Sequence, residues 1–256
     1  MTFLNKILES KREQIEDLES VKELQSRLES SSRADVRNPM WSNNLDVIAE
    51  IKRKSPSKGD LAKIDDPAGL AEQYCVSGAV AISVLTDQHY FGARPDDFER
   101  VRNRVSTPLL RKDFIIDDRQ VYETFLMGAD IMLLIVAAFD DMGLLKNLHG
   151  LARNLKMNVL LEIHTRAELE TANELGAEII GVNVRDLSSF DENPLLGDEI
   201  IKEIDRDATS VWESSISNID DAKRARKAGA DCVLVGQALV SRDNPGEFIE
   251  QIRSIS

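Results

Sequence analysis

The sequence has little cysteine, a deficit of positive charge and no long apolar run, and each shortage removes a class of protein. Its 256 residues include two Cys, Cys75 and Cys232, far apart and outside any CxxC or Cys/His cluster. That excludes a disulfide-stapled scaffold and a Cys-based zinc site, and it fits a reducing cytosol. Against 45 Asp and Glu stand 32 Lys and Arg, giving a formal net charge of −13. A general binder of nucleic acid or of an anionic membrane needs a basic surface, so neither is an expected partner, and any anionic ligand must be captured by a local site. The longest apolar run, Ile131 to Phe139, is too short for a membrane span and suits a buried strand. The opening MTFLNKILESKREQIEDLES is charged throughout and reads as no signal peptide, so the expected location is the cytoplasm.

What remains is the composition of a globular protein, 42% apolar and 30% charged, long enough to bury a sizeable core. Residues 3 to 28 place Phe3, Leu4, Ile7, Leu8, Ile15, Leu18, Val21, Leu24 and Leu28 at helical spacings. This predicts one or two amphipathic helices that pack on the main domain. With the linker SSRADVRNPMWSN they form an extension over residues 1–40, leaving 41–256 as the main domain.

There a unit repeats. Apolar runs at Leu45–Ile51, Ala79–Leu85, Pro108–Leu110, Ile131–Val136, Asn158–Ile163, Glu178–Val182, Thr209–Trp212 and Cys232–Val235 are each followed by a turn and a helical pattern. Examples are Pro67–Ser77, Arg119–Met127, Met142–Leu155, Arg166–Leu175 and Ile219–Ala228. In SGAVAI, MGADIM and AGADCV a Gly stands at the helix C-cap with a strand directly behind. Strands alternating with helices predict a parallel sheet. Eight units in about 210 residues match a (β/α)8 TIM barrel, and the rival doubly wound sheet lacks its GxGxxG after the first strand. A barrel does its chemistry at the C-terminal ends of its strands.

Those ends carry charge. Glu50 and Lys52 lie two apart and so on one side of the first strand. The third ends in Arg111-Lys112-Asp113, the fifth in Glu162, the sixth in Asn183 and the seventh in Glu213-Ser214. A lone charge at a strand end is ordinarily a solvated turn residue, and a Glu two before a Lys can be a structural ion pair. Equivalent positions on five strands of one repeat favour convergence on a site, because polar groups in apolar strands are costly unless paired or active. The turns Ser214-Ser215-Ile216 and Gly236-Gln237-Ala238 follow strands seven and eight, where barrels commonly hold phosphate on backbone N–H groups. Ser55, with Lys54 nearby, adds a hydroxyl and a charge.

At these residues the sequence resembles the indole-3-glycerol phosphate synthase family, over nearly the whole chain. The stretches that carry the likeness are IAEIKRKSPSKG (48–59), SVLTDQHYF (83–91), LLRKDFIID (109–117), LLEIHT (160–165), GVNVRDL (181–187) and WESSIS (212–217). The resemblance implies ring closure and decarboxylation of 1-(2-carboxyphenylamino)-1-deoxyribulose 5-phosphate, in tryptophan biosynthesis, with no metal and no organic cofactor. It implies Lys112 as general acid, Glu162 as acid/base in dehydration, and Lys52 as holder of the substrate carboxylate or donor for water loss, with Glu50 orienting Lys52. Asn183, Glu213, Ser214 and Arg185 would position substrate, Phe114 and Leu133 would line the anthranilate pocket, and Ser55, Ser215, Gly236 and Gln237 would surround the phosphate. A monomer or weak homodimer is the expected state.

The sequence departs from the family pattern where Ser215 replaces a usual Gly, at Gln237, at Gly92-Ala93-Arg94 and at Val184. These departures put phosphate affinity in question and leave the reacting groups intact. A catalytically idle sugar-phosphate binder is one alternative. Another is a phosphate-binding barrel isomerase such as phosphoribosylanthranilate isomerase, which would use a Cys/Asp pair; no Cys ends a strand here. His89 and His164 read as polar loop residues, Cys75 and Cys232 as small core hydrophobes, and Trp41 and Trp212 as packing residues.

Overall fold

The computed structural model describes residues 2–31, 35–186 and 189–256. Part of the linker (32–34) and the last residue of the GVNVRDL stretch lie outside the described residues. The extension is two helices, α1 (Phe3–Glu16) and α2 (Val21–Glu29). They separate at Ser20, whose hydroxyl and Glu23 form a reciprocal capping box that starts the second helix.

Eight parallel strands then close a barrel: β1 (Asp46–Ile51), β2 (Ala81–Leu85), β3 (Leu109–Lys112), β4 (Ile131–Ile135), β5 (Asn158–Ile163), β6 (Ile179–Asn183), β7 (Thr209–Glu213) and β8 (Cys232–Val235). Each strand pairs with the next in sequence and β8 closes on β1, with Asp46 opposite Cys232. Helices α3 (Pro67–Val76), α4 (Gln88–Phe91), α5 (Asp97–Arg104), α6 (Asp118–Leu126), α7 (Met142–Asn154), α8 (Arg166–Glu174), α9 (Pro194–Ile201), α10 (Ile219–Ala228), α11 (Gln237–Val240) and α12 (Pro245–Arg253) stand between and after the strands. The chain is a (β/α)8 barrel. Among the described residues no helix is long and apolar enough to cross a membrane.

Three strands run further than their apolar residues. Hydrophobicity alone stops the third, sixth and seventh at Leu110, Val182 and Trp212, whereas the ladders continue to Lys112, Asn183 and Glu213. The reason is backbone pairing: Leu85 sits opposite Lys112, and Asn183 opposite Glu213. Lys112, Asn183 and Glu213 are therefore strand residues, set by the sheet.

Two apolar layers hold the fold. Alternate strand residues such as Val47, Ile82, Leu134, Leu161, Ile180 and Val233 point outward against the helices. Their neighbours Ile48, Leu110, Ile131, Leu160, Ile179, Val211 and Cys232 fill the barrel interior. Leu4, Ile7 and Leu8 of α1 join the interior cluster, so the extension closes one end of the barrel.

Candidate active site

Two residues beyond the interior plug, the same side of each strand turns polar. Ile48 is followed by Glu50, Leu110 by Lys112, Leu160 by Glu162 and Val211 by Glu213, an alternation that puts all four in one layer above the plug. Glu50, Glu162 and Glu213 are each no more than 2% exposed. Two glycines make room for them. A Cβ at Gly181 would lie 2.1 Å from Glu213 Oε1, and one at Gly236 would lie 2.3 Å from Glu50 Oε1. Any larger residue at either position displaces a carboxylate.

Lys112 Nζ lies 2.8 Å from Glu162 Oε2 and 3.4 Å from Glu213 Oε2. Asn183 Nδ2 donates to Glu162 Oε1 at 3.0 Å, and Ser214 Oγ donates to Asn183 Oδ1 at 2.8 Å, which fixes the amide's orientation. Lys52 Nζ pairs with Glu50 Oε1 at 2.5 Å, so the ion pair that the spacing allowed is made, and made at the site.

Three buried carboxylates crowd the partly buried Lys112, and their proton affinities part. Burial pushes the Glu162 carboxyl up, but Lys112, His164 and the Asn183 hydrogen bond outweigh it and hold it below the usual range. For Glu213 burial also pushes up; Lys112 opposes, the Glu162 and Glu50 charges reinforce, and the net shift is upward. Burial works against the Lys112 ammonium, yet Glu162, Glu213 and Glu50 raise its affinity above the ordinary lysine value. The resting site thus holds a proton on Lys112, an ionised Glu162 and a Glu213 that retains its proton more readily, the separation that acid–base chemistry needs.

The turns after β7 and β8 line another part of the cavity. Ser214 and Ser215 both take left-handed φ, 72° and 58°, a conformation that costs a non-glycine residue roughly 1–2 kcal/mol. Trp212 Nε1 donates to Ser214 O at 3.0 Å, so this packing residue also pins the strained turn. The next turn places Gly236 at the start of α11. Arg242 ties the two turns together, donating from Nη1 to Ala238 O at 2.9 Å and from Nη2 to Ser217 O at 2.8 Å.

All fourteen residues to which the resemblance gives a role line one cavity of about 380 Å³, including Lys52, Phe114, Leu133, Arg185, Ser55 and Gln237. Lys54 is not on its wall; Lys58 stands there beside Ser55 and Ser57. Arg185 pairs with Glu192 and reaches across to Ser57 Oγ at 3.3 Å, joining the segments after β6 and β1.

The chain matches the indole-3-glycerol phosphate synthase family over residues 4–252. It belongs to that family. The indole-3-glycerol phosphate synthase of Paenarthrobacter aurescens is 42% identical, covering 99% of this chain and 96% of that protein. The enzyme of the same name from an Arthrobacter species is 44% identical, covering 98% and 95%. A solved structure of 3-hexulose-6-phosphate synthase aligns at 14% identity with a TM-score of 0.64, covering 83% of this chain and all of that one, a likeness of fold alone.

Within this synthase family member, sequence reasoning missed three contributors. Phe3, Leu4 and Ile7 of α1 form part of the cavity wall, with the Phe3 ring edge-on to Tyr90 and Phe190 at 5.4 and 5.0 Å. Lys11 is buried and paired with Asp87 at 2.8 Å and with Asp113, the neighbour of Lys112, at 2.7 Å. The signal was there: Lys11 falls on the stripe Leu4–Leu8–Lys11–Ile15, where a charge has no place unless it is matched. The third is His164. It is a loop residue, between β5 and α8, but its ring is largely buried beside Glu162, Nε2 lying 3.5 Å from Oε1.

Proposed function

We propose that this chain closes the indole ring of 1-(2-carboxyphenylamino)-1-deoxyribulose 5-phosphate, releasing carbon dioxide and water to give indole-3-glycerol phosphate in tryptophan biosynthesis. One observation carries the reading. Two lysines, each paired with a carboxylate, Lys112 with Glu162 and Lys52 with Glu50, stand on one cavity beside turns suited to a phosphate.

The roles follow from the chemistry. The ring carbon that bears the carboxylate attacks the ketone carbon, and the carbonyl oxygen takes a proton from the Lys112 ammonium. The high proton affinity of Lys112 keeps that proton in place until charge develops on the oxygen. Carbon dioxide then leaves, and its bonding electrons restore the aromatic ring. The new hydroxyl departs as water with a proton from Lys52, pushed by the nitrogen lone pair, and Glu162 accepts the proton lost from the adjacent carbon to complete the indole. Glu50 orients Lys52, while Asn183, Glu213, Ser214 and Arg185 position the substrate. Phe114 and Leu133 accept the anthranilate ring, and Ser55, Ser215, Gly236 and Gln237 receive the phosphate. Ionised lysines and the paired turns give the anionic substrate a local attraction that the chain's overall acidity does not.

We further propose that the protein acts in the cytoplasm as a monomer or weak homodimer, with residues 1–40 as an extension of one barrel domain over 41–256. The deciding experiment is fluorescence detection of indole-3-glycerol phosphate from the deoxyribulose phosphate at micromolar to millimolar concentrations. Turnover at ordinary KM is expected. Turnover only at high substrate places a defect in the phosphate turns, and binding without turnover replaces this reading with an idle binder.

A further inference from the structure

His164 directly follows β5, and its side chain is 11% exposed. Nε2 lies 3.5 Å from Glu162 Oε1, and Nδ1 lies 3.5 Å from Oε2 of Glu168 on α8. Glu168 is held there because the same oxygen accepts the His164 backbone N–H at 2.7 Å. Both ring nitrogens are buried and make no hydrogen bond. The charges facing the ring are all negative: Glu162 from β5, Glu168 from α8 and, further off, Glu213 from β7. Lys112 on β3 pairs with the other oxygen of the same carboxylate, Glu162 Oε2. The ring is not part of the cavity wall, so it acts only through Glu162.

We propose that His164 is a positioning residue for the reaction: as an imidazolium it supplies the counter-charge of Glu162 after Lys112 has passed its proton to the substrate. At that moment Lys112 is a neutral amine, and Glu162 has lost its main ion partner inside a buried layer, where an uncompensated carboxylate is costly. Without a second cation, Glu162 takes a proton early and is no longer the base that the dehydration requires. Burial disfavours the charged ring, but Glu168, Glu162 and Glu213 together raise its proton affinity above that of an ordinary histidine.

The proposal rests on the synthase reading, and its test separates the two. His164→Gln keeps a donor beside Glu162 and removes the charge; His164→Ala removes both. In both we expect kcat to fall about tenfold with KM within about twofold, and the alkaline limb of the kcat profile to move. Wild-type kcat and profile in His164→Gln overturn the proposal, as does a fall in melting temperature with no change in either. Nitrogen-15 NMR of the imidazoles gives a readout that needs no turnover, and with three histidines in the chain the signals are assignable. His164 is expected to titrate above ordinary histidine and to fall back in Glu162→Gln. A ring that titrates normally and ignores Glu162→Gln overturns the charge pairing even in an active enzyme. A wild type without turnover sinks the synthase reading, and in that case the NMR result alone decides whether the pairing exists.

Discussion

The two ends of the cavity are built on opposite principles. At the end to which we assign the reaction, the groups are side chains at or beside the last positions of β1, β3, β5, β6 and β7; Glu50, Glu162 and Glu213 are buried, and Lys52 and Lys112 neutralise Glu50 and Glu162 in pairs. The sheet ladder locates each of them, and the low dielectric makes every pairing strong and every broken pairing expensive. At the end to which we assign the phosphate, the proposed donors are backbone N–H groups of two turns, joined by Arg242 and strained at Ser214 and Ser215. A backbone donor survives most side-chain substitutions, so this end can drift in sequence while keeping its chemistry. The reacting end has no such freedom, because Gly181 and Gly236 already leave its carboxylates only the space that they occupy.

The sharpest contrast comes from Lys112→Ala. With the acid gone, kcat is expected to fall by about 10³-fold, or about 4 kcal/mol, with KM little altered, since the phosphate end is untouched. Retention of the wild-type rate would show that the assigned acid is wrong. Next in size is Lys11→Met, which leaves Asp87 a buried charge without its cation and Asp113 with Arg111 alone. Chemical denaturation is expected to show a loss of about 3 kcal/mol. Limited proteolysis should open α1 first. A loss under 1 kcal/mol would mean that solvent reaches these aspartates and that α1 is not fastened through them.

How much of this was legible follows the same division. The barrel was readable because its eight apolar runs and glycine-ended helices repeat, and the charged strand ends because they recur in register. What the apolar pattern hid was the last step of three strands, since a polar residue ends a hydrophobic run without ending a ladder. Lys11 and His164 were hidden for a related reason. Lys11 interrupts an apolar stripe, but its partners Asp87 and Asp113 are distant in sequence, and His164 looks like an ordinary loop residue until Glu168 on the adjoining helix is seen to face it. The turn after β7 gave a substitution, Ser215 for a usual glycine, but the paired left-handed conformation of Ser214 and Ser215 is a tertiary fact.

Glu213→Gln tests the separation of proton affinities within the reacting end. A carboxyl that binds its proton more tightly when folded stabilises the fold at acid pH, and that contribution drains away as pH rises past its ordinary value of 4.5. Glu162 has the opposite sign: its contribution is present above 4.5 and is lost as pH falls. The Gln variant removes the first and keeps the second. Its stability relative to wild type should therefore improve steadily as pH rises from 4.5, measured by denaturation at a series of pH values, while kcat falls about tenfold. A difference that is flat with pH would show Glu213 to be an ordinary carboxylate.

The smallest expected effect lies at the other end, in Ser215→Gly. Glycine takes φ near 58° without the penalty that a Cβ brings, so the variant should gain about 1 kcal/mol, a rise of about 2–4 °C in Tm for a chain of this size. The same freedom lets the backbone N–H turn towards the phosphate, and KM should fall up to about fivefold at unchanged kcat. A change in kcat would mean that the two ends are mechanically coupled, through the Asn183–Ser214 hydrogen bond that joins them. A lower Tm would mean that the buried Ser215 hydroxyl contributes more than its backbone strain costs. In either case the cradle would be more than a set of backbone donors, and the contrast between the ends would be one of degree.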